Sequence, residues 1–309
     1  MLGPSVVEHH NNESLADVLH DDSARNRLVG IGLVSITYLC FAVLDAVAKW
    51  LVQTLPVLVV VWLRFVSHVA FTAALFVPAE GMALLRTRRP GLQLLRAAML
   101  PTMTAINFWA LQYLQLAETG AIQFAVPILI AVLAAPLLGE RLDAARWAAI
   151  VVGFLGVLVV IRPGTQGFHP ALLLSLVNAV LYAMFNLTTR RLAAYDSPEA
   201  TQFISGLGAT LAIAPFALAV WQTPATWLEW MVACVIGISG GLGHYFLALA
   251  HRYAPASILG PFLYQQILYM ALLGYLVFGD VPDAPMVVGG AIVIASGLTL
   301  LWRERTRAH

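Results

Sequence analysis

Residues Ala117–Glu140 read AETGAIQFAVPILIAVLAAPLLGE, an apolar run broken by Pro127 and Pro136 and closed by Gly139-Glu140. About 140 residues later the pattern returns as Ala254–Asp280, APASILGPFLYQQILYMALLGYLVFGD, with Pro261 inside and Gly279-Asp280 at its end. Each run is long enough to cross a bilayer, which takes about 20 mostly apolar residues. A soluble domain has no use for two such runs, whereas a membrane protein built from two halves does.

Composition agrees. The chain is 60% hydrophobic and 11% charged, with a mean hydropathy of +0.83, against about 25% charged residues in soluble domains. Cys40 and Cys234 fall inside apolar runs and read as small buried hydrophobes, not as a disulfide or a metal site. No spacing suggests zinc, and no cofactor is called for. The chain lacks G-x-x-x-x-G-K-[ST], which argues against pumping driven by ATP. Gly240-Gly241-Leu242-Gly243 has neither a preceding strand nor a following Lys-Ser or Lys-Thr, so it is not a phosphate loop.

The length rule yields about ten spans, at 28–51, 56–79, 93–113, 117–138, 143–161, 170–190, 200–221, 228–250, 254–278 and 284–302. The fold class is therefore an all-α integral membrane protein. Residues 1–27 are polar and acidic, without the basic-then-apolar order of a secretory signal, and read as a disordered cytoplasmic tail. His9-His10 has no further ligand nearby and belongs to that tail. Residues 28–162 form a first five-helix repeat, 163–169 a linker, 170–303 a second repeat and 304–309 a short tail.

Charge tests the count. With the amino terminus inside, the inner segments hold Arg25, Arg27, Arg86, Arg88, Arg89, Arg96, Arg141, Arg146, Arg190, Arg191, Arg252, Arg303, Arg305 and Arg307. Only Lys49 and Arg162 lie outside, as the excess of cytoplasmic Lys and Arg demands. The halves also align. At a shift of about 141, Asp45 and Lys49 lie over Asn186 and Arg190, and Phe41 over Tyr182. Five helices is an odd number, so the second half enters from the opposite side. Such inverted repeats are common in carriers that work by alternating access.

The chain resembles the drug/metabolite transporter superfamily, in particular the ten-helix members of the EamA family. The resemblance rests on Asn107-Phe108-Trp109-Ala110-Leu111-Gln112-Tyr113, on Ala117 through Pro127, on Leu138-Gly139-Glu140-Arg141 and on Gly153-Phe154-Leu155-Gly156. The second half repeats it in Tyr253 through Ser257, Gly279-Asp280 and Gly289 to Gly297. Asp280 stands where the family usually has Glu. The similarity covers roughly 28–303. It implies a carrier whose helices one, three, four, six, eight and nine line a central cavity. Relatives move amino acids, nucleosides, riboflavin, S-adenosylmethionine or other organic metabolites.

Ionisable groups inside the membrane are costly and draw attention first. Arg64 lies about 12 Å into its helix, counting 1.5 Å per residue. It suits a substrate carboxylate or phosphate, or a structural ion pair with Asp45. Asp45 and Lys49 share a helix face. Lys49 reads as interfacial, and Asp45 either takes a coupling proton or pairs with Lys49 or Arg64. Glu118 reads as a solvated loop carboxylate, and Gly139-Glu140 as helix-end structure.

Mid-helix polar and aromatic residues sketch a pocket: Asn107, Trp109, Gln123, Asn178, Tyr182, Asn186, His244, Tyr264 and Gln265. Each alone reads as a bonded packing residue. Together they resemble the lining of a small-molecule site with aromatic walls. The expected function is a secondary transporter of a small organic metabolite across the inner membrane, either amino-acid-like or aromatic and heteroaromatic, such as riboflavin or a nucleoside. The alternative is a multi-pass enzyme acting on a lipid or lipid-linked substrate, which would need clustered catalytic residues at an interface. The partners called for are a small-molecule substrate and the lipid bilayer, with no nucleic acid. A homodimer stays open.

Overall fold

The computed structural model describes residues 24–138, 144–162, 165, 168–192, 195–254 and 259–307. The chain is helical throughout the described part. The elements are α1 (Ala24–Leu51), α2 (Val57–Glu80), α3 (Pro90–Leu111), α4 (Leu116–Gln123), α5 (Val126–Leu138) and α6 (Ala144–Ile161). They continue with α7 (Ala171–Leu192), α8 (Pro198–Ala219), α9 (Trp227–Tyr253), α10 (Gln265–Leu273) and α11 (Ala284–Arg307). Six helices are long and apolar enough to cross a membrane alone, and four shorter apolar stretches complete ten passes. Among the described residues the first helix runs from Ala24. Residues 1–23, with the His9-His10 pair, and the Gly139-Glu140-Arg141 boundary lie outside the described residues.

The two runs that opened the reading are the two broken passes. In the first, α4 stops at Gln123 and α5 restarts at Val126, with Pro127 at its start. A proline has no N–H to continue the ladder, so the chain turns at Phe124-Ala125. In the second, Pro261 opens a 3-10 turn over Gly260–Tyr264 before α10. A π turn, Gly274–Phe278, then ends at Gly279, whose φ of 69° is left-handed. Irregular backbone at membrane depth is tolerated where protein buries it or where it faces a cavity. Both breaks lie at the centre of the bundle.

The packing repeats across the halves. α1 lies along α9, as its equivalent α7 lies along α3. α2 contacts α8 and α9, α8 contacts α2 and α3, and α6 pairs with α11. Lipid offers apolar side chains as good an environment as the interior does, so close packing must hold the helices together. Glycine permits it. At the α6–α11 crossing, a Cβ on Gly289 would fall 2.7 Å from the Gly156 carbonyl oxygen, and one on Gly156 would fall 2.9 Å from that of Gly289. At the α2–α9 crossing, a Cβ on Gly237 would meet the backbone of Arg64 and His68 at 2.7 and 2.5 Å.

Gly289→Ala and Gly237→Ala therefore push rigid backbones apart. Each should lower stability by about 1–3 kcal/mol, the usual cost of overpacking. Gly32→Ala, where an added methyl meets nothing within 4 Å, should leave the melting temperature of the detergent-solubilised protein unchanged or raise it slightly.

Candidate functional site

A cavity of about 350 Å³ occupies the centre of the bundle, walled by α1, α2, α3, the broken α4–α5 pass, α7, α9 and α10. Its wall is built from both repeats. On α1, Tyr38, Phe41 and Asp45 recur at helical spacing and share one face. On α7, Asn178, Tyr182 and Asn186 do the same from the other half. The break before Pro127 turns Thr119, Gly120, Gln123 and Phe124 onto the wall. Phe41 packs edge-on to His244 with ring centres 5.0 Å apart, and Tyr182 stacks on Phe185 at 6.3 Å.

Two opposite charges face this space. Asp45 accepts a 3.0 Å hydrogen bond from the Asn107 amide, the one hydrogen bond to its side chain among the described residues. Arg64 is 6% exposed. Its Nε and one terminal nitrogen are buried without a hydrogen-bond partner. The guanidinium lies beside Gly240, where an added Cβ would sit 3.6 Å from Arg64 Nη2. The two charges line one cavity yet form no ion pair among the described residues. The structural pair weighed from sequence is not closed to contact, although the two charges lie near enough to act on one another.

Most of the sequence-derived set converges here: Arg64, Asp45, Asn107, Gln123, Asn178, Tyr182, Asn186 and His244. Four residues do not. Trp109 is two positions from Asn107, hence on the opposite helix face, and is 40% exposed. Tyr264 packs behind the wall against Phe124, at 5.1 Å between ring centres, keyed into the notch left by Gly297. Gln265 is bonded by the Tyr269 hydroxyl, and the 3-10 turn before it brings Gln266 to the wall instead. Lys49, in the last turn of α1, is not paired with Asp45. It forms a part-buried 2.5 Å ion pair with Asp280, which the π turn and Gly279 fold back over the end of α1.

Other residues also differ from the sequence reading. Glu118 is a capping residue that accepts from the Gln115 amide and lies 3.8 Å from Arg162, so it is not a free loop carboxylate. Arg96, counted with the inner segments for its charge although it falls within the span 93–113, turns into the bundle. It donates to Thr189, to the Thr201 carbonyl and to Ser205. Tyr38, Phe41 and Thr119 line the cavity without having been singled out for it. The 141-residue shift held a signal for Phe41, since it lies over Tyr182.

At the bundle end opposite Lys49, Asp196 ties the α7–α8 loop to the start of α3. It accepts from the Arg88 amide, Thr87 and Gln93. Burial pushes its carboxyl up, but these hydrogen bonds and the Arg88 charge outweigh that and leave it below the usual value of 3.8. A carboxyl lowered in the folded state stabilises above its ordinary value and loses that contribution as pH falls through the lower folded one. Asp196→Asn should therefore melt below wild type at pH 6, with the gap closing in acid below about pH 4. Melting curves across that range test it.

Ten membrane passes around a central cavity walled by two inverted halves define a transporter. The EamA-like transporter family model matches residues 28–162 and again 169–302, and the chain belongs to that family. It is 26% identical over 285 residues to the S-adenosylmethionine uptake transporter of Rickettsia prowazekii, spanning 92% of this chain and 96% of that protein. It is 31% identical over 217 residues to the riboflavin transporter of Vibrio cholerae, spanning 69% and 72%. With the pseudopaline exporter of Pseudomonas aeruginosa it shares 28% over 272 residues, spanning 88% and 95%. A solved crystal structure with 22% identity superposes over 91% of this chain at a TM-score of 0.61, a likeness of fold. The protein is thus a multi-pass membrane transporter of a small metabolite.

Proposed function

We propose that this transporter moves an amino-acid-like or aromatic, heteroaromatic metabolite across the bacterial inner membrane by alternating access, without an enzymatic step. The observation that carries the reading is the central cavity, which lies between the repeats and not at an interface, where a lipid-modifying enzyme would need its catalytic groups. Its volume of about 350 Å³ falls within the range of metabolite pockets. Its aromatic walls and scattered hydrogen-bonding groups suit a flat ring better than a sugar. The named substrates of the relatives, S-adenosylmethionine and riboflavin, both carry a heteroaromatic system. The arginine partition supports cytoplasmic termini.

Alternation also follows from an asymmetry between the halves. Toward the Lys49 end, α1 is fastened to the third pass twice, by Asn107 on Asp45 and by Gln112 on the Val52 carbonyl. At the opposite end, Asn186 stands at the position equivalent to Asp45. It donates to the Tyr182 carbonyl of its own helix at 2.7 Å, and this end is tied differently, by Arg96 of α3 on Thr189 of α7. The exchange of these two arrangements is the transport cycle.

Reconstitution into proteoliposomes tests the reading. Initial uptake of labelled S-adenosylmethionine, riboflavin, a nucleoside and amino acids should single out one solute class. For that solute, Tyr182→Ala and Gln123→Ala should slow transport about tenfold or more while melting stays near wild type, as expected for lost contacts worth about 1.4 kcal/mol each. Trp109→Ala should transport normally. Equal losses for Trp109→Ala and Tyr182→Ala would place the pathway elsewhere.

A further inference from the structure

Away from the cavity, the outer end of the bundle holds an ion pair that joins the two halves. Lys49 lies in the last turn of α1, in the first repeat, and Asp280 follows the pass of α10, in the second. Their side chains are 11% and 23% exposed, so the pair stands at the border of the water. The segment around Asp280 is shaped to present it. Its amide returns to the Gly274 carbonyl at 3.1 Å, across the π turn. The Phe278 ring at the end of that turn lies with its centre 4.6 Å from Lys49 Nζ. One short stretch thus offers the ammonium both a carboxylate and an aromatic face. Single π turns of this kind recur at functional positions. The inner end is held by other chemistry, the hydrogen bonds of Arg96 and of Asp196.

We infer that Lys49 and Asp280 form the outer latch of the transport cycle, parting when the cavity opens outward and closing again when it opens inward. This rests on the alternating-access reading and the orientation proposed above. Latch and cavity wall share the same two elements. On α1, Asp45 faces the cavity one turn before Lys49. In the other half, Gln266 and Met270 of α10 face it before the chain reaches Asp280. α1 and α10 pack against each other, so a shift between them moves the wall and the latch together. The position of the pair also makes it reversible. A charge left alone inside protein is strongly destabilising. An opening outer mouth instead admits water to both groups as it separates them, and hydration offsets most of the lost attraction. A latch of this kind holds the closed end without trapping it.

Cysteine accessibility tests the latch on the full-length protein without a solute. In a background carrying Cys40→Ala and Cys234→Ala, Thr119→Cys reports the outer part of the cavity wall and Asn186→Cys the inner part. A membrane-impermeant maleimide is applied to the first in spheroplasts and to the second in inside-out vesicles. Lys49→Gln and Asp280→Asn should each speed labelling of Thr119→Cys about tenfold, the change that about 1.4 kcal/mol makes in an equilibrium. Labelling of Asn186→Cys should slow in the same variants. Lys49→Arg, which keeps the charge, and the exchanged pair Lys49→Asp with Asp280→Lys should both label close to the parent rates. Unchanged labelling of Thr119→Cys in single variants that melt like the parent overturns the latch. So does faster labelling at both reporters, which marks a pair that only holds the fold together. Faster labelling of Thr119→Cys with Asn186→Cys unchanged upholds the outer closure and instead overturns the alternation of the two ends.

Discussion

An arginine inside a bilayer is the constraint around which this bundle is arranged. Nothing in hydrocarbon solvates a guanidinium, so each one needs dense protein packing and a set of acceptors. The bundle meets that need in two ways. Arg96 is enclosed at the crossing of the third and seventh passes, with acceptors from α7 and α8. Arg64 sits at the crossing of α2 and α9, where Gly237 and Gly240 let the helix backbones close around it, its guanidinium 4.3 Å from the Phe65 ring centre and two of its nitrogens buried without a hydrogen-bond partner. The first arrangement stabilises the fold. The second leaves a buried cation incompletely bonded.

The inverted repeat explains why these crossings resemble each other. At the shift of about 141 residues, Arg64 corresponds to Ser205 and Arg96 to Gly237. One crossing takes its arginine from the third pass and sets it against Ser205. The equivalent crossing takes its arginine from α2 and sets it against Gly237. The same geometric slot holds one cation in each half, supplied from opposite sides of the contact. Gly237 has no side-chain hydroxyl, so Arg64 lacks the acceptor that Arg96 finds in Ser205.

Much of this was legible in the chain. Ten passes, their division into two halves and the central cavity followed from run lengths, arginine placement and the self-alignment at 141. The α7 stripe of Asn178, Tyr182 and Asn186 could be read as one face because a regular helix fixes the spacing. Tyr264 and Gln265 were less legible, because a 3-10 turn winds at three residues per turn and shifts the register that an α-helical count assumes. Lys49 gave no sign of its pairing for a related reason. Its partner Asp280 is 231 residues away and reaches it through a π turn and a left-handed glycine that no periodicity announces. Arg96 fell within the third span yet was read only as inner-side charge, because composition does not say which way a side chain near a helix start turns.

The asymmetry at Asp45 and Asn186 separates the two halves chemically. If both halves were identical, both ends of the bundle would fasten equally and the protein would have no reason to favour either conformer. Substituting an amide for the carboxylate changes the chemistry of only one end. Asp45 is an acceptor that Asn107 bridges across the cavity rim, whereas Asn186 donates within its own helix. The opposite end is held instead by Arg96 of α3 on Thr189 of α7. Each end thus closes through different side chains, and an equilibrium between conformers shifts only with what binds the two differently.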